Sequence, residues 1–165
     1  MPYIQPTGMM RGTSDFSPIK SHRFLFSIDA DPTVKLICKS ASRPSINNAE
    51  VQINHINKTR YIAGKTTYDP LQITLYDYIT PSTAQLLMAW QVTHTESKTG
   101  RSGYEAFYRR TATLEILGGA GDVVQVWKYY NCFITNINFG EMSWDNDAVM
   151  EIPVTIRYDD VDLVV

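Results

Sequence analysis

The sequence predicts a mainly β protein, a two-sheet β-sandwich or barrel with one flanking α-helix and a long β-hairpin. Three observations point there. Short apolar/polar alternations recur through most of the 165 residues. One stretch has convincing helical spacing behind a start signal. Aromatic residues reach 12%, ten of them Tyr, which suits strands and extended contact surfaces better than a helical bundle. The length suits one ordinary domain with a real core. Hydrophobic residues at 44% and charged residues at 19% argue against wholesale disorder and a coiled coil. A net charge of −2 argues against a protein whose main work is to grip phosphates. No run approaches the roughly 18 apolar residues of a membrane helix. The polar, Gly/Pro-rich stretch from Met1 to Ser17 lacks the apolar core of a secretory signal, so the expectation is a protein made and kept in a cytoplasm.

Residues 1–20 read as an N-terminal arm, because Pro2, Pro6, Gly8, Gly12 and Pro18 break any regular element. Tyr3, Ile4, Met9, Met10 and Phe16 leave two readings of it, a frayed end or an arm that orders against a neighbour. Strands follow. His22–Ile28 puts Phe24, Phe26 and Ile28 on one face, and Thr33–Ser40 alternates Val34, Leu36 and Cys38 with Lys35, Ile37 and Lys39. Ala49–Ile56 alternates again, Lys58–Pro70 is extended and punctuated by Gly64 and Pro70, and Leu71, Ile73 and Leu75 give a half-buried strand.

The helix is expected to start at Thr80 as N-cap with Pro81 at the first helical position, and to fade near Thr95. Ala84, Leu87 and Met88 form its stripe, widened by Leu86, Trp90 and Val92. Residues 96–110 read as a mobile polar loop closing with Tyr104, Phe107 and Tyr108. Thr111–Leu117, a Gly118–Asp122 turn and Val123–Phe139 make a long hairpin. After Gly140–Asp147, Ala148–Asp159 returns as a strand with Met150, Ile152, Val154 and Ile156 on one face, and Pro153 marks an edge or a bulge. The sum is seven or eight strands and one major helix.

The search for chemistry yields no catalytic residue, no cofactor motif and no metal-ligand spacing. There is no Gly-x-Ser-x-Gly elbow. His22, His55 and His94 are scattered, and Cys38 and Cys132 lie far apart without ligand spacing, which favours two buried free thiols and leaves a disulfide open. Gly118–Gly121 lacks the Lys-Ser/Thr of a P-loop, and Asp145 and Asp147 lack the Gly and closing Glu of a calcium loop. Arg101, Arg109 and Arg110 with Tyr104 and Tyr108 suggest base stacking, but Glu96 and Glu105 share the stretch, so a solvated loop or subunit contact is favoured. A β domain with an arm, a long loop and no marked site fits a protein whose work is to assemble through strand edges and hairpins.

The stretch from Asn57 through Lys-Thr-Arg-Tyr-Ile-Ala-Gly-Lys-Thr-Thr-Tyr-Asp-Pro to Leu71-Gln-Ile-Thr-Leu-Tyr-Asp77 resembles the tail tube proteins of contractile-tailed bacteriophages. The helix carrying Trp90-Gln91, the polar loop ending in Tyr104, the hairpin, Gly140-Glu141-Met142 and the strand ending in Tyr158-Asp159 follow in the family's order, over roughly residues 20–160. The resemblance implies a viral tail tube protein, a ring-forming structural subunit and not an enzyme. It divides the chain into an arm, 1–20, and a single β-barrel tail-tube domain, 21–165. Rings of six would stack into a hollow tube inside a sheath, conducting DNA during genome ejection without binding it specifically. The implied partners are other copies of the chain, the tail sheath, and baseplate and tail-terminator proteins, with no membrane. The implied location is the virion tail after assembly in host cytoplasm. By position Lys58–Tyr68 is the projecting hairpin, with Tyr61, Ile62 and Tyr68 as candidate subunit-interface residues; the arm and the 96–110 loop are further stacking contacts. The longer Pro/Gly-rich N-terminus departs from the family pattern. Two alternatives stay open: the tube protein of a bacterial secretion or injection system or a baseplate relative, and a ligand-binding β-barrel or small enzyme.

Overall fold

The computed structural model describes residues 18–29 and 32–164; the arm expected over 1–20 lies almost wholly outside them. Among the described residues the chain forms strands β1 (Phe24–Ile28), β2 (Cys38–Ala41), β3 (Ile46–His55), β4 (Lys58–Tyr68), β5 (Leu71–Tyr76), β6 (Arg110–Leu117), β7 (Val123–Ile137), β8 (Glu151–Arg157) and β9 (Asp160–Leu163). Helices α1 (Pro32–Ile37), α2 (Thr83–His94) and α3 (Glu105–Tyr108) interrupt them.

Seven strands form one antiparallel sheet in the order β1-β6-β7-β8-β5-β2, with β9 paired to β7. The 15-residue β7 serves both halves. Its first part pairs with β6 and β9, and Phe133–Ile137 pairs with β8. The hand-over falls at Asn131, whose φ of 56° is the left-handed conformation that Asn tolerates better than most residues. Alternation then fills one core shared by both halves. Phe26 and Ile28 from β1, Leu114 from β6, Leu71, Ile73 and Leu75 from β5, and Ile152, Val154 and Ile156 from β8 are all buried in it. The edge strands β1 and β2 are not paired with each other, so the sheet stays an open two-layer sandwich and does not close into a barrel.

Two segments differ from the alternation read in the sequence. Thr33–Ser40 is not a strand throughout. Pro32 occupies the first helical position of α1, Val34 and Ile37 are buried at i, i+3 spacing, and the strand starts at Cys38. Pro153 is on neither an edge strand nor a bulge: β8 lies between β7 and β5, and Pro153 stands opposite Asn138, one residue past the end of β7. Its carbonyl accepts from the Asn138 amide at 3.1 Å, so the donor that Pro lacks is missed where the ladder already ends.

Helix α2 begins two residues later than expected, with Ser82 as N-cap accepting from the Gln85 amide. Its buried stripe is Thr83, Leu87 and Trp90, whereas Met88 and Val92 face solvent. Thr83 sets that rotation: its hydroxyl donates to the Tyr76 carbonyl at 2.8 Å and accepts from the Tyr78 amide at 3.3 Å. Residues 96–110 are ordered as well. A Thr95–Ser102 bridge and the amide of Gly103 on the His94 carbonyl hold the loop, and α3 occupies its end. The Trp90 indole donates to the Tyr108 carbonyl at 2.7 Å, and the Tyr108 ring stands edge-on to His94 and Phe133. Both cysteines are free, Cys132 fully buried and Cys38 partly so.

Candidate functional site

The remaining two strands, β3 and β4, make a sheet of their own. A two-residue turn, Ile56-Asn57, sets the register, so His55 faces Lys58 and Val51 faces Ile62. Every residue of β3 is exposed, as are all of β4 except Gly64 and Tyr68, which are half-buried. The register slips between Asn48 and Glu50, and there a Cβ on Gly64 would stand 2.9 Å from the Ala49 carbonyl oxygen. Glycine is what lets the two backbones approach at that bulge.

The two faces of this hairpin differ in chemistry. Residues directly opposite in an antiparallel pair share a face, so Val51, Ile53, Arg60, Ile62, Lys58 and His55 lie on one side. Val51 is 52% exposed, and Ile53 and Ile62 are 45% exposed. The other side carries Glu50, Gln52, Asn54, Thr59 and Tyr61, and it satisfies itself: Gln52 and Thr59 both donate to the Asn54 side-chain oxygen, at 3.0 and 3.4 Å. At the tip Ile56 is 92% exposed with φ 47°, a conformation that β-branched residues rarely adopt. An exposed apolar sheet with unpaired edges is a template for another chain.

The base of the hairpin is tied to the body. The Ser45 hydroxyl donates to Asp69 at 2.7 Å, and the Asp69 amide returns a bond to the Ser45 carbonyl. Hydrogen bonds from the Ser45 and Asn47 side chains hold the Asp69 carboxyl below its ordinary range. The Tyr68 hydroxyl donates to Asp160 at 3.0 Å, and this bond raises the phenol's pKa. The Tyr68 ring lies 5.6 Å from that of Tyr158, which meets buried Tyr129 at 5.0 Å. The three candidate interface residues therefore separate. Tyr61 and Ile62 are exposed on opposite faces of the hairpin, and Tyr68 anchors it to the core of its own chain.

A second surface lies at the other end of the body. The connection between β7 and β8, residues 138–150, exposes Met142 at 88%, Val149 at 66% and the whole of Trp144. The sequence reading expects a connection only over Gly140–Asp147, with a strand from Ala148; the structure ends β7 at Ile137 and starts β8 at Glu151, and no periodicity marks the apolar residues set among acids between them. Asx and Ser turns shape it, with Asn146 accepting from the Ala148 amide and Ser143 from the Asp145 amide. On the 96–110 loop, Tyr104 and Phe107 are exposed at 82% and 70%, while Tyr108 is turned inward. The open seam between β1 and β2 holds a cleft of about 250 Å³ lined by Phe24, Ala41, Leu114, Ile116, Arg23 and Arg43. That is smaller than the roughly 300–1,000 Å³ of small-molecule sites.

The family model described as T4-like virus tail tube protein gp19 matches residues 20–162. No curated protein matches the sequence. Among solved structures, the tube-terminating cap of the anti-feeding prophage aligns with a TM-score of 0.72 at 14% identity, covering 89% of this chain and 91% of that one. A chain from the sheath/tube terminator of an extracellular contractile injection system, PVC, aligns with a TM-score of 0.72 at 14% identity, covering 90% and 98%. One from the PVC sheath–tube complex gives 0.65 at 18% identity, covering 90% and 93%. At these identities the likeness is one of fold.

Proposed function

This chain belongs to the T4-like virus tail tube protein family, and on that premise we propose that six copies close into a ring and that rings stack into a hollow tube conducting DNA. The chain is a structural tube subunit of a contractile tail. Its work is assembly and not catalysis, and DNA passes through the lumen without a dedicated binding site. Sheath, baseplate and terminator proteins are its partners in the virion tail, after assembly in host cytoplasm. The likenesses to chains of a sheath–tube complex, a terminating cap and a baseplate support partners of this kind.

The observation that carries the reading is the hairpin β3–β4. Isolated two-stranded sheets are marginal in water, and this one exposes Val51, Ile53, Ile56, Tyr61 and Ile62 with no apolar surface over them among the described residues. Another subunit supplies that surface, Ile62 and Tyr61 being the first contacts on either face. Tyr68 acts through its neighbours, fixing the angle at which the hairpin leaves the body. The domain spans residues 21–165, with residues 1–20 as an arm that contacts a neighbouring copy.

Negative-stain electron microscopy across a concentration series, with solution mass in parallel, tests the reading. Sixfold rings or hollow tubes are expected. A monodisperse monomer at every concentration, with or without a purified baseplate to nucleate it, would overturn it.

A further inference from the structure

The hairpin and the 138–150 loop leave the body at opposite ends of the same strand. Strand β5 starts at Leu71, paired with Ile156, and ends at Tyr76, paired with Glu151. The hairpin enters β5 at its Leu71 end through Asp69 and Pro70. The loop enters β8 at Glu151, beside Tyr76, and the Asp77 amide donates to the Met150 carbonyl there at 3.0 Å. Six residues of strand separate the two points by about 20 Å. Two surfaces at opposite poles of one subunit can meet in two copies stacked head to tail, the heterologous geometry that continues without closing.

Their chemistry is complementary. The apolar hairpin face around Ile62 carries Lys58 and Arg60 toward its tip, and Glu50 lies on the other face. The loop carries Glu141, Asp145 and Asp147 and no Lys or Arg between 138 and 150. Among the described residues no ion pair engages any of these six charges. Each surface also presents apolar groups: Val51, Ile53 and Ile62 on the hairpin, Met142 and Trp144 on the loop. Trp144, with no side of its ring covered, is an acceptor for an Arg or Lys cation.

We infer that the Ile62 face of the hairpin docks on the acidic Trp144 loop of the next copy along the tube axis, with Lys58 and Arg60 against Asp145, Asp147 and the Trp144 ring. This rests on the tube reading above and adds to it which hairpin face is used and what receives it. The Tyr61 face, which satisfies its own polar groups, takes no part in that contact.

Two charge-reversed full-length variants test it. K58E/R60E makes the hairpin acidic, and D145K/D147K makes the loop basic. All four side chains are exposed, and thermal melts of the variants check folding. Like charges set across an interface cost enough that each variant alone raises the concentration at which stacks form by at least about tenfold. An equimolar mixture of the two restores stacking near the wild-type concentration, because each hairpin then meets a loop of opposite charge. Glu50→Lys, on the Tyr61 face, leaves stacking unchanged. Single variants that stack like wild type, or a mixture that fails to rescue them, overturn the docking while leaving the tube intact. A wild-type chain that never forms rings or tubes overturns the tube reading itself, and the docking with it.

Discussion

Strands β3 and β5 follow the same alternation and meet opposite fates. In β5 the apolar residues Leu71, Ile73 and Leu75 are at most 2% exposed, closed over by β8 and the far half of the sheet. In β3 the residues in the same rhythm, Val51 and Ile53, are about half exposed, and nothing among the described residues covers them. Alternation fixes that a segment is a strand with one apolar face. It does not say whether the surface that buries the face belongs to the same molecule. The body is a self-sufficient fold, and the hairpin is half of an interface.

Alkali should break the body most completely. Burial pushes the Cys132 thiol from 9.0 up to about 12, and it raises the Tyr129 phenol as well. A raised pKa in the folded state means that the unfolded chain gives up its protons first. The stability these groups contribute is therefore complete below pH 9 and lost as pH rises from 9 toward 12. Far-ultraviolet circular dichroism across that range should show unfolding, and Cys132→Ala should displace the transition to higher pH; a transition indifferent to that substitution would remove the thiol from the account.

Paired substitutions sharpen the contrast at neutral pH. Leu75→Ala, at a fully buried site, should cost about 2–5 kcal/mol in urea denaturation. Ile53→Ala, in the same rhythm on the hairpin, should change subunit stability by less than about 0.5 kcal/mol and raise the concentration needed for tubes. Equal effects on the isolated subunit would mean that the hairpin is packed after all. Between these extremes, Ser82→Ala removes the α2 cap and should cost about 1 kcal/mol, read from the same melts.

The smallest effect concerns the joint between the two regions. Tyr68→Phe keeps the ring against Tyr158 and loses the bond to Asp160, so subunit stability should fall by about 0.5 kcal/mol. Amide exchange should quicken at the end of β4, from Thr66 to Tyr68, with little change in β5. Exchange that quickens equally in both would place Tyr68 in the general core and not at the joint.

Much of the body was legible because alternation and burial coincide there, in β5, β6 and β8. What escaped was set by contacts remote in sequence or by elements too short to show a period. Helix α1 has six residues, and Val34, Leu36 and Cys38 satisfy the strand pattern as well as Val34 and Ile37 satisfy the helical one. The order in 96–110 comes from Trp90 reaching the Tyr108 carbonyl, a bond that no local pattern announces. Of the candidate interface residues, which follow from the family resemblance, Ile62 and Tyr61 stand exposed on the hairpin. Tyr68 differs from them through Asp160, 92 positions away.

The pairing distances also order events in time. His55 and Lys58 are three residues apart, so β3 and β4 can begin to pair as soon as both have left the ribosome. Phe24 waits for Ile116, and Leu71 waits for Ile156. Because long loops must close before these contacts form, the body is the slower part to fold. The appendage that finds its cover last, in another molecule, is thus among the first segments of the nascent chain able to take its shape, and the interval between those two moments is when this protein is most exposed to pairing with the wrong strand.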